Sequence, residues 1–522
     1  MDTINNPYNP QPQFQQPPMP GMMPQMPPRG QWQRRAMTAI GRVNNIFFPK
    51  WLTQYGAVVY LLALAVVSFM YSTYSLPWYY WLSGLVSIIV FFYYGAYLTN
   101  KSLSLDRVRR QWNFEKKIFW IAFIPRVVWM LLIYTIFIQN YGDAFGFESG
   151  DPTFYDYQAK VFSQAISDGN YFSVWKNTSE IIDISDLGYA SYIGFVYWLT
   201  DNSIIAVRFI KCILSAFTVL LIYRLAKRNF DPRIARVAAI FCALWPNFWY
   251  YCGCHLKEVE MVFLSVLFVE QADQMLRSRQ FTAWKVIPIL LIASVIFTFR
   301  TPLGIVALLS LVFGVVMSSA KVINWGKRIV VGLLAIALIV VVAGNRIEEQ
   351  SRNLFEQVQK NEQHTNMEWR GEREHGNALA KYAGATVFAP MIFTLPFPSM
   401  VKPFEGQDVQ QLLNGGNFIK NIISFFTILA LIMIFLSGKW RDYLLPLSFM
   451  LGYLLVLTMS SFAQSERFHQ PVMPFELMFA AYGLSIAVTK AKYKRWFTYW
   501  CAIMFVAVIA WNWFKMAGRG LS

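Results

Sequence analysis

Asp151, Tyr155 and Ala159 follow at i, i+4 and i+8 in GDPTFYDYQAKVF, so a helix there carries a carboxylate and a phenol on one face. A carboxylate so placed can take a proton from an attacking hydroxyl. Pro152 suits a first helical position and Asp151 an N-cap, so capping alone also accounts for the pair. Asp143 lies in the same acidic stretch. A second polar group stands in HLKEVEMVF, where Lys257 and Glu258 open an apolar run beside His255. The helix dipole favours a glutamate in a first turn without any chemistry. Arg300 in FRTP and Arg467 in SERFHQPVMPF sit at the ends of other apolar runs, where snorkelling would explain either one singly. Several such sites at one rim are harder to dismiss. Within the apolar runs, Arg126 is near mid-span, and Arg208 and Lys211 share a face at i, i+3. Cations there must face protein, water or an anion, and phosphate is the natural anion.

The elements that hold these residues are set by a composition far from that of a soluble domain. Of 522 residues 56% are hydrophobic, 17% aromatic and only 14% charged. Several windows exceed the length needed to cross about 30 Å of hydrocarbon, and none shows the short alternating segments of a barrel. The expected class is an all-α polytopic membrane protein. The net charge of +17 is no sign of nucleic acid, because the bases cluster between spans. Segment 99–117 carries six bases against two acids, 226–236 four against one, and 489–496 four against none. These mark cytoplasmic loops.

Thirteen spans are expected, at about 55–74, 76–98, 118–138, 203–225, 234–252, 256–274, 284–299, 303–320, 328–343, 420–437, 443–461, 472–489 and 497–514. That divides the chain into a Pro/Gln/Met-rich cytoplasmic tail over 1–50, two extra helices over 51–117, a core over 118–343 and C-terminal helices over 420–522. The loops 139–202 and 344–419 then face outward. Residues 139–186 hold eight acids and two bases, a balance of −6, and all four histidines fall in outer segments. YASYIGFVYWLT, 189–200, is too short to span and is expected in the outer interface, and 382–400, broken by prolines, as a re-entrant or interfacial element. The five cysteines lie in or beside apolar runs, so they predict no disulfide framework. CGC lacks a second pair at zinc spacing, and no phosphate loop or dinucleotide motif occurs. No soluble cofactor is indicated, while a divalent metal stays open.

In this order, GDPTFYDYQAKVFSQAISDGNY, then NSIIAVRFIKCILSAFTVLLIYRLAKRNFDPRIARVAAIFCALWPNFW, then HLKEVEMVFLSVLF, the chain resembles the GT-C membrane glycosyltransferases, a group that includes protein mannosyltransferases and lipid A aminoarabinose transferases. ERFHQPVMPFELMFAAYGL is similar to their late segment. The resemblance covers about 139–275 and, less closely, 462–489. It implies a sugar donor on a polyprenyl phosphate, an acceptor lipid, glycan or protein, and an inverting displacement at the outer face of a bacterial cytoplasmic membrane. It also implies an essential acid in the first outer loop, matched here by Asp151, with Asp143 second. Asp151 is then the base. Lys257, Arg300 and Arg467 are phosphate partners, and Tyr155, Arg208, His255 and Glu258 complete a substrate site. The paired Asp-Glu of the mannosyltransferases is not kept, since Pro152 follows Asp151. Two other readings compete. A polysaccharide polymerase or ligase would use diphosphate-linked glycans, but 344–419, with nine acids and seven bases, is not the basic loop it wants. A transporter or flippase predicts related halves and midplane sites, and no repeat is visible.

Overall fold

Long apolar runs flanked by bases form helices, and the computed structural model shows how they are cut and stacked. It describes residues 48–103, 111–146, 150–181, 183–278, 283–317, 385–403, 408–460 and 462–518, with positions 333, 337, 372 and 520. The chain divides into a unit of residues 1–42 and one of residues 43–522, and the described residues all belong to the second. The tail before residue 48, the expected span 328–343 and most of 344–384 lie outside the described residues.

In chain order the helices are α1 (Lys50–Met70), α2 (Trp78–Leu103, with a widened π turn at Ile89–Tyr94), α3 (Gln111–Tyr141), α4 (Gly150–Ser167), α5 (Tyr171–Ile181), α6 (Ile184–Thr200), α7 (Ile204–Asn229), α8 (Pro232–Ala243), α9 (Pro246–Cys252) and α10 (Glu258–Arg277). They continue as α11 (Ala283–Phe299), α12 (Thr301–Met317), α13 (Ala385–Met391), α14 (Asp408–Leu412), α15 (Asn414–Leu436), α16 (Leu444–Thr458), α17 (Glu466–His469), α18 (Met473–Ala487) and α19 (Ala491–Ala517). No strand occurs among the described residues, which hold one isolated bridge, Ser75 to Val401. This is an all-α membrane protein. Six of the described helices, α1, α2, α3, α7, α15 and α19, are long and apolar enough to cross a membrane, and α11 and α12 are shorter apolar helices.

The expected span 234–252 is broken into α8 and α9 at Trp245 and Pro246. A proline removes a helix donor and cannot continue the preceding turn. The break is held from the side. Arg126, fully buried in α3, donates to Ala243 O at 3.0 Å, Cys242 O at 3.2 Å, Ala122 O at 2.6 Å and Ser215 Oγ at 2.7 Å. This mid-span cation is therefore occupied by carbonyls at the end of α8, where a helix leaves them without partners. The five cysteines are all buried and form no disulfide with one another.

Hydrogen bonds sort the connections into two ends. At one, Arg228 of α7 meets Glu270 at 2.6 Å and Asp273 at 3.0 Å, while Arg277 reaches Asp442 O at 2.6 Å. At the other, α3 leads into α4, α5 and α6, which form a cap rather than spans. Asp183 caps α6 by accepting from Ser185 N at 3.0 Å, an interaction that contributes about 1 kcal/mol. α6 packs on α4 and α11. A Cβ on Gly188 would lie 2.5 Å from Thr298 O, so only glycine permits that approach. After α13 the chain runs non-helically and buried to Val401. Its backbone is satisfied by side chains: Asn421 donates to Thr394 O at 2.5 Å, Asn512 donates to Pro398 O at 3.2 Å, and Asn512 Oδ1 accepts from Met400 N at 2.8 Å. Irregular backbone is tolerated at depth on that condition.

Candidate active site

Three segments far apart in the sequence meet at the capped end: α4, the start of α10 and α17. The α4 helix begins at Gly150, so Asp151 lies in its first turn rather than at the cap, and its carboxylate turns to another helix. Arg467 Nη1 donates to Asp151 Oδ2 at 2.5 Å, and Arg467 Nε donates to Glu258 Oε1. Asp151 is half exposed and Glu258 almost wholly buried, so the guanidinium bridges from the surface to the floor. Burial alone would favour loss of its proton, but the Glu258 and Asp151 carboxylates outweigh that and hold Arg467 charged.

Beside this bridge is a second one. Lys257 Nζ donates to Asp186 Oδ1 at 2.5 Å and to Ser185 O at 2.8 Å, and Tyr155 OH donates to Asp186 Oδ1 at 2.7 Å. Burial raises the Asp186 carboxyl, but the charge and hydrogen bond of Lys257, the Tyr155 hydroxyl and the charge on Arg300 prevail and leave it below the usual carboxylate range. Burial, then Asp186, push the Tyr155 phenol up, so it stays protonated and donating. Arg300 places its guanidinium 4.2 Å from the Phe468 ring centroid and donates to Tyr453 OH at 3.2 Å. The structure thus brings Tyr155, Lys257, Glu258, Arg300, Arg467 and Asp151 into one neighbourhood.

Asp143, Arg208 and His255 converge on the turn 143–146 that follows α3, and the His255 ring lies 6.3 Å from that of Tyr189, which packs on Tyr155. Asp143 Oδ1 accepts from Phe145 N and Gly146 N, both at 2.7 Å, and Arg208 Nη2 donates to Ala144 O at 2.6 Å. The buried His255 ring lies 5.5 Å from that of Phe145 and stacks on Tyr197. Burial first, then Lys211, Arg208 and Lys160, keep its imidazole neutral.

Asp186 and Glu466 are site residues that the motifs did not single out. Glu466 accepts from Asn247 Nδ2 at 2.7 Å, from Tyr251 OH at 2.6 Å and from Gln470 Nε2. Burial nevertheless pushes its carboxyl up to about 7. The one sign of it in sequence is its place before Arg467. Among the described residues no three His, Cys, Asp or Glu side chains are grouped as a metal site.

Residues 188–344 match the family model described as dolichyl-phosphate-mannose-protein mannosyltransferase. This is the mark of a membrane glycosyltransferase of the GT-C type. The match spans under a third of the chain and includes Arg208, His255, Lys257, Glu258 and Arg300. Asp151, Tyr155, Asp186, Glu466 and Arg467 lie outside it; Tyr155, Asp186, Glu466 and Arg467 contact residues within it, and Asp151 is joined to it through Arg467. No curated protein and no solved structure matches the chain.

Proposed function

We propose that the chain transfers a sugar from a polyprenyl-phosphate donor to an acceptor hydroxyl at the outer face of the membrane, by one inverting displacement with Asp151 as base. The observation that carries this reading is the Arg467 bridge: one cation joins the exposed Asp151 to the buried Glu258 in the matched segment. A donor of this kind is a phosphodiester with one negative charge, and its leaving group is a monoester that gains a second. As the anomeric C–O bond breaks, the acceptor oxygen forms the new bond and its proton passes to Asp151. Once protonated, Asp151 no longer holds Arg467 electrostatically, and the guanidinium is released toward the departing phosphate. Base and leaving-group stabiliser are thereby coupled through one residue. Lys257 and Arg300 supply further cations, and Tyr155 with Asp186 orients Lys257.

The proposed topology, with loops 139–202 and 344–419 outward, rests on the clustering of bases in 99–117, 226–236 and 489–496. This chemistry serves a hexose or a pentose alike, and an acceptor that is a lipid, glycan or protein. The test is to incubate purified protein with radiolabelled polyprenyl-phosphate and polyprenyl-diphosphate sugars. Consumption of the monophosphate donor, with release of polyprenyl phosphate, is expected. Consumption of the diphosphate donor alone would favour the polymerase or ligase reading, and transport of either lipid without turnover the flippase reading.

A further inference from the structure

Arg467 is carried by α17, a helix of four residues that runs into the short turn Gln470–Val472, with Pro471 inside it. One turn of helix has little stability of its own, so its place is set by what its side chains grip. Two of them besides Arg467 are held by other helices. Glu466 accepts from Asn247 Nδ2 at 2.7 Å and from Tyr251 OH at 2.6 Å, both on α9. The buried His469 brings Nδ1 within 2.8 Å of Lys420 Nζ on α15, and Lys420 lies 3.9 Å from Glu476 on α18. With Nε2 donating to Ala463 O at 2.8 Å, Nδ1 is the ring's acceptor for the lysine ammonium. The grip from α9 also depends on a glycine. A Cβ on Gly416 of α15 would fall 1.8 Å from Asn247 Oδ1 and 2.7 Å from its Cγ, so the amide has room only because that position carries no side chain.

We propose that Glu466 is a positioning residue: held by Asn247 and Tyr251, and backed by the His469 contact with Lys420, it fixes α17 so that the Arg467 guanidinium lies between Asp151 and Glu258. The ion pairs of Arg467 do not do this alone, because a long side chain follows its carboxylates as the backbone beneath it shifts. In the sugar-transfer reading, on which the chemical consequence rests, Arg467 loses Asp151 as a partner when that carboxylate takes the proton. A fixed α17 confines the response to the side chain, so the cation is delivered to one place.

Full-length protein whose arginines carry nitrogen-15 at Nε provides the test by magnetic resonance. The Arg467 Nε proton, donated to Glu258, is expected as a slowly exchanging signal, identified by its absence from Arg467→Lys. The double variant Asn247→Ala/Gly416→Ala deletes the amide and sets a methyl group where it lay, which limits the change in packing while removing the contact with Glu466. Its Arg467 signal should shift or broaden, and turnover should fall on the order of 10-fold or more. Tyr251→Phe, which removes only a hydroxyl from Glu466, should move the signal in the same way. Asp231→Ala, which removes the cap of α8 at the other end of the bundle, should leave it as in wild type. An unchanged signal in both the folded double variant and Tyr251→Phe overturns the proposal, and so does an equal change in Asp231→Ala, which would reduce the effect to general loss of stability. A moved signal with wild-type turnover overturns it as well. If the signal responds as expected but wild type consumes no polyprenyl-phosphate sugar, the sugar-transfer reading fails and the positioning of Arg467 by Glu466 stands.

Discussion

Asp151 and Asp186 are each held by one cation, yet they are set for different work. Asp186 accepts from Lys257 and Tyr155 and is kept ionised, which suits a residue that orients others. Asp151 is half exposed and paired with Arg467 through Oδ2, as the proposed role of base requires of a residue that must meet an acceptor. Asp151→Asn can still accept from Arg467, so the variant should fold to within about 1 kcal/mol of wild type, as for an exposed ion pair. Turnover should fall on the order of 10²-fold or more while donor binding persists. Near-normal turnover in that well-folded protein would remove Asp151 as base. Glu466 makes a separate prediction through pH. Its carboxyl is raised from an ordinary 4.5 to about 7, so between these values the folded state holds a proton that the unfolded chain has released. Stability must therefore decline as pH rises through that window. Glu466→Gln presents an amide to the same Asn247, Tyr251 and Gln470 and does not titrate. Its melting temperature should vary less than that of wild type between pH 5 and 7.5, and a parallel decline in both proteins would show that other groups dominate. Asp151, Lys257, Glu258, Arg300 and Arg467 were legible in sequence because a charge beside a long apolar run needs a reason. Asp186 and Glu466 were not, because what distinguishes them is a partner 71 or more residues away.

The helices that carry these groups are held by close approach as much as by apolar area. α6 brings Asp186 to Lys257 only because Gly188 lets it lie against Thr298 in α11. Gly188→Val would drive methyl groups into the Thr298 carbonyl and side chain. Overpacking of this kind costs about 1–3 kcal/mol, and here it also moves Asp186. The variant should unfold at lower temperature and lose activity together, whereas Asp186→Asn should lose activity with a smaller thermal shift. A Gly188→Val protein with wild-type activity and melting temperature would mean that α6 can slide without consequence. The long apolar helices were readable from hydropathy. The division at Trp245 was signalled by Pro246, but its cost is offset by Arg126, whose partners are carbonyls more than 100 residues on. Apolar length reports where a helix can be and says little about which buried cation allows it to stop.

Across the whole molecule, charge is partitioned between two ends, and this makes sidedness testable at described positions. All five native cysteines are buried, which leaves a clean background for a reporter. Tyr157→Cys, on the exposed face of α4, should react with a membrane-impermeant maleimide in intact cells, and Lys492→Cys only after permeabilisation. The reverse pattern would move the whole candidate site to the cytoplasm and end the outward reading. The Arg467 bridge also has a consequence for how the protein is made. Asp151, the proposed base, is translated early and Arg467 316 residues later, so a chain still being synthesised lacks their contact. Sugar transfer should therefore be silent until the last helices have inserted. Stalled ribosome-bound chains ending before residue 460 are expected to show no turnover where released full-length chains do.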